Sequence, residues 1–124
     1  MTVFEEQLRK RLPLNIDLDA LQAKISTEVG ERWTVWRRTH PGEGVAVVEV
    51  RIQASGAIRR RLRRYRETSE FHGPPGILVS RRPSSGDKHL VHWLTQVATC
   101  VSRAGGAGYD WRMMTATEAL QATP

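Results

Sequence analysis

The chain of 124 residues, with ordinary hydrophobic and charged fractions, is long enough to bury one core, too short for two domains and too apolar for wholesale disorder. Its net charge of +6 favours polyanionic partners, namely nucleic acid, an anionic membrane surface or an acidic protein. The lone Cys100 excludes an intramolecular disulfide and a cysteine-based zinc cluster, and with no secretory signal or membrane-spanning stretch the expected setting is the cytoplasm, without membrane insertion.

In chain order, Thr2 and Glu5 have the spacing of a capping box, and Phe4, Leu8 and Leu12 share a face, so a short helix stopped by Pro13 is expected. A second helix capped by Asp17 follows, with Leu18, Leu21, Ile25 and Val29 on its apolar side and Gly30 beyond its end. The period then becomes alternating. Trp33 to Arg38 and Val45 to Ile52 read as two strands joined by a hairpin at His40 to Gly44. On a strand Trp33 and Trp36 point to opposite faces, which makes one of them a candidate for stacking on a base.

Ala57 to Glu67 is the densest charge in the chain. Ile58, Leu62 and Tyr65 lie at i, i+4 and i+7, a thin helical stripe, and Arg59, Arg60, Arg61, Arg63, Arg64 and Arg66 fan over the rest. No acidic residue occurs between Glu49 and Glu67 to neutralise them. Sixteen of the nineteen basic residues are arginine, a bias that G+C-rich coding also produces, so the clustering carries more weight than the count.

His72 to Gly76 reads as an irregular turn, Ile77 to Val79 as a short buried strand, and Arg81 to Gly86 as a basic loop. That loop has the makings of an anion site, but Asp87 at the following helix start would occupy the same amides and repel phosphate. Leu90, Val91, Leu94, Val97, Ala98 and Val101 then mark a central core helix ended by Gly105. Tyr109, Trp111 and Met113 share one face of a last strand, and residues 115–124 read as a helical turn fraying into a loose tail. The expected fold is a single α+β domain over residues 1–124: an antiparallel or mixed sheet of about four strands, two N-terminal helices, a basic surface helix and a central apolar-faced helix.

Catalytic and metal signatures are sparse. His89 and His92 are i, i+3 neighbours without a third ligand at a recognised spacing, and Cys100 flanks an apolar stripe, where a thiol behaves as a small hydrophobe. Gly105, Gly106 and Gly108 follow a helix, whereas a phosphate cradle precedes one. Glu49, Val50 and Arg51 resemble the acidic-x-lysine pattern of restriction-type nucleases, with Glu43 or Asp110 as a second carboxylate, but arginine cannot serve there as a base. His40 and His72 are the residues a histidine-based ribonuclease would use.

The expected function is therefore a small, non-catalytic nucleic-acid-binding protein, with no cofactor, that grips RNA or DNA phosphates through the arginine helix aided by Arg37, Arg38, Arg81 and Arg82. An alternative is a small regulatory protein engaging an acidic protein surface or a ribonucleoprotein, as accessory proteins of mobile elements do. The metal-dependent nuclease and the histidine ribonuclease are the enzymatic alternatives.

Overall fold

The computed structural model describes residues 17–86 and 88–122, so the expected helix through Phe4, Leu8 and Leu12 lies outside the described residues. Helix α1 (Leu18–Thr39) begins where Asp17 Oδ1 accepts the Ala20 amide at 3.0 Å, the cap expected from the sequence. It then runs through Gly30 without a break, which overturns both the stop at Gly30 and the strand from Trp33 to Arg38. The apolar spacing explains why. Ile25, Val29, Trp33 and Trp36 recur at intervals of four, four and three and are all buried, so one continuous helix covers both tryptophans. Burying each ring is worth about 2–3 kcal/mol, against a cost of about 1 kcal/mol for glycine in a helix. Both rings therefore lie in the core, in edge contact with a centroid separation of 6.4 Å, and neither can stack on a base. His40 to Gly44 consequently joins a helix to a strand and is no hairpin.

Strands β1 (Ala46–Ala54), β2 (Gly76–Ser84) and β3 (Tyr109–Met114) form an antiparallel sheet in the order β2-β1-β3. Among the described residues there are three strands where about four were expected, because Trp33 to Arg38 is helical. The α+β class holds. Arg81, Arg82 and Ser84, expected in a loop, belong to β2, and Pro83 is accommodated because β2 is an edge strand.

Alternation divides the sheet into two faces. Ala46, Val48, Val50, Ile52 and Ala54 of β1 are buried in the core, as are Leu78 of β2 and Trp111 of β3 opposite them. Helix α3 (Lys88–Arg103) lies on that face with α1 and contributes Leu90, Leu94, Val97 and Val101, as its spacing predicted, together with Trp93 and Cys100. Its buried Thr95 and Thr99 hydroxyls donate to the carbonyls of Val91 and Thr95 at 2.7 and 2.8 Å, so the helix meets the core without stranded hydroxyls. Gly86, with φ of +84°, sits under Trp33: a Cβ there would come within 2.7 Å of the indole.

Helix α2 (Gly56–Arg63) is shorter than the expected span to Glu67 and gives way to successive turns. Thr68 Oγ1 donates to the Leu62 carbonyl at 2.6 Å and fixes that descent. The helical turn expected ahead of the tail is helix α4 (Ala116–Gln121), held by a reciprocal capping box between Thr115 and Glu118. Among the described residues no helix is long and apolar enough to cross a membrane.

Candidate nucleic-acid interface

Successive residues of a helix are turned by about 100°, so a run of arginines cannot all face one way. In α2 the buried Leu62 and half-buried Ile58 set the inward side, and the guanidinium groups divide accordingly. Arg59 turns toward the neighbouring loop and donates to the carbonyls of Gly73 at 2.6 Å and Pro74 at 3.0 Å. Arg61 donates to the Ala104 carbonyl at 3.0 Å, supplying a cation to the C-terminal end of α3. These two brace the helix. Arg60, Arg63, Arg64 and Arg66 are exposed, and none makes an ion pair or side-chain hydrogen bond with a described residue.

The other arginines singled out from the sequence are not gathered around α2. Arg37 and Arg38 end α1, which leads into the Ala46 end of β1, whereas α2 follows its Ala54 end. The nine residues of β1 separate them by roughly 27 Å. Arg81 and Arg82 point to opposite faces of the sheet. Arg82 lies on the helix-covered side, 4.5 Å over the Trp93 ring and paired with Glu70, so it is already engaged.

Arg81 belongs to a constellation that the sequence did not disclose. The register sets Glu49 of β1 between Arg81 of β2 and Arg112 of β3 on the face away from α1 and α3, with Arg51 two residues along β1. The Nε atoms of Arg51 and Arg112 donate to Glu49 Oε1 at 2.7 and 2.9 Å, and that of Arg81 donates to Oε2 at 2.8 Å. The carboxylate is fully buried beneath them. Burial pushes its pKa up, but the hydrogen bonds from Arg112, Arg51 and Arg81 and the Arg112 charge outweigh that and bring it down to about 2. Both oxygens of Glu49, the carboxylate considered for metal-dependent cleavage, are thus occupied by guanidinium.

A shallow groove lined by Arg51, Gln53 and Gly108 runs on into a second lined by Ser55, Ile58 and Gly106; the two share Gln53 and Ala107. It leads from the outer sheet face to the start of α2. His40 is stacked on Trp36 with a centroid separation of 3.8 Å, and His72 pairs through its backbone with Val79. His89 and His92 lie in the first turns of α3, and the Cys100 thiol is in the core. Comparison with protein-family models, curated proteins and solved structures finds no match for the chain.

Proposed function

We propose that this is a small, non-catalytic nucleic-acid-binding protein whose phosphate grip is formed by Arg60, Arg63, Arg64 and Arg66. One observation carries the reading: these four guanidinium groups project from α2 and the turns that follow it, whose other two arginines are tied to backbone carbonyls, and none forms an ion pair with a described carboxylate. Like charges at i, i+3 and i+4 repel by a few tenths of a kcal/mol per pair, a cost that a bound polyanion reverses. Arg82 is left out of the grip, being held by Glu70 and Trp93.

The test is the salt dependence of binding to a fluorescent oligonucleotide. Each phosphate contact contributes about −0.9 to the slope of log K against log salt on duplex DNA and about −0.7 on a single strand. Replacing Arg60, Arg63, Arg64 and Arg66 by glutamine should flatten that slope by about three units while leaving the unfolding midpoint near wild type. An unchanged slope rejects the grip. Copurification of a protein partner with a clean absorbance ratio, and no oligonucleotide binding, would establish the acidic-partner alternative instead.

A further inference from the structure

We infer that the outer face of the sheet carries a second, separate anion site, in which Arg51, Arg81 and Arg112, gathered on Glu49, take a phosphate group. The inference starts from stoichiometry: Arg51 and Arg112, neither with another ion pair, both meet the one Glu49 carboxylate that Arg81 also engages, so the cluster carries surplus positive charge. Two of the three share a single oxygen, which forces their charges together.

The direction of the contacts adds a second argument. Arg51 and Arg112 each engage Glu49 through Nε, and neither makes another hydrogen bond with a described residue, so their terminal Nη1 and Nη2 edges are not used within the fold. That planar fork is the part of arginine that matches two oxygens of a phosphate. Their side chains are 43% and 57% exposed, while the carboxylate that orients them is fully buried and so cannot swing away with them. Among the described residues the nearby carboxylates are Asp110, opposite Arg51 in the register, and Glu118, whose charge Arg112 influences; neither forms an ion pair with the cluster.

Phosphate chemistry alone is shared by a monoester, free or at a strand terminus, and by the diesters of a nucleic-acid backbone. Inorganic phosphate, a ten-residue oligothymidylate with a 5′-hydroxyl and the same strand with a 5′-phosphate are therefore titrated into the 15N-labelled chain while the arginine Nε–Hε resonances are followed. Saturating shifts of Arg51, Arg81 and Arg112 are expected. Shifts with inorganic phosphate and the 5′-phosphorylated strand alone assign a monoester site; shifts with both strands assign the backbone diester. Failure of all three probes to saturate these resonances overturns the inference.

The double variant R51Q/R112Q should weaken phosphate binding at least tenfold. Because removing two guanidinium groups perturbs Glu49, the variant R51K/R112K is measured beside it: it keeps the charges but not the forks, and phosphate binding as tight as wild type there would also overturn the inference. The site does not depend on α2. Glutamine at Arg60, Arg63, Arg64 and Arg66 should leave the three resonances responding to inorganic phosphate as before, so the two surfaces fail or stand separately.

Discussion

Helix α2 and the outer face of the sheet both concentrate arginine, and they dispose of the charge in opposite ways. In α2 six arginines adjacent in sequence are dispersed around and beyond a short cylinder, two against carbonyl oxygens and four into solvent. On the sheet three arginines, each 30 or more positions from the next, converge on a single buried anion because strand register places them side by side. Density along a chain is thus a poor guide to density in space. A helix spreads its neighbours, whereas a sheet assembles strangers.

The contrast can be tested at the points that hold each region in place. The largest effect is expected at Leu62, the fully buried anchor of α2: Leu62→Ala should cost about 2–5 kcal/mol in urea unfolding and should raise amide exchange in α2 more than in β1. Equal loss of protection in both would mean that the two regions are not separable.

Glu49→Gln comes next. Deleting the charge leaves three guanidinium groups facing one another, at a cost of about 2 kcal/mol near neutral pH, less than for a fully buried pair because the arginines reach water. The sign with pH follows from the depressed pKa. The Glu49 carboxylate contributes its stability above the ordinary value of 4.5, and that contribution is lost as pH falls toward about 2. The variant should therefore lose less stability than wild type across that interval, as measured by thermal unfolding at a series of pH values. Parallel curves would show that the three arginines do not hold the carboxylate as described.

The smallest effects separate the two kinds of arginine within α2. Arg61→Gln removes the cation at the Ala104 carbonyl and should cost about 1 kcal/mol, whereas Arg60→Gln should change stability by no more than about 0.5 kcal/mol. Equal costs would erase the distinction between bracing and projecting side chains.

Much of the fold was legible wherever burial has a single period. Leu90, Leu94, Val97 and Val101 mark α3, Val48, Val50 and Ile52 mark β1, and Tyr109, Trp111 and Met113 share the core face of β3, all as the sequence predicted. The stretch from Trp33 to Arg38 misled because tryptophan, threonine and valine favour strands and Gly30 favours a stop, while the signal that won is longer: a register of four, four and three from Ile25 to Trp36. The charge on α2 was visible as a run, but its division was not, since that depends on where Gly73, Pro74 and Ala104 present their carbonyls. The cluster around Glu49 was hidden for a different reason. Strand alternation puts Glu49 and Arg51 on one face, but bringing Arg81 and Arg112 to them requires β2 to extend through Arg82 and both strands to pair with β1, neither of which a local pattern encodes.

Arg32 of α1, which donates to the Trp111 carbonyl, has a consequence for how copies of this chain behave toward one another. A sheet of three strands ends in two margins of backbone donors and acceptors, each a template on which a strand of another molecule can grow. Beyond β2 that template is interrupted: His72 and Val79 exchange backbone hydrogen bonds at 3.1 and 2.7 Å, and Pro83 offers no amide hydrogen. Beyond β3, Arg32 donates to the Trp111 carbonyl while lying 4.1 Å over its ring, and Glu28 steadies it from one helical turn away at 3.0 Å. A bulky, ion-paired side chain seated on the margin obstructs an incoming strand, which disfavours edge-to-edge pairing of copies in a crowded solution.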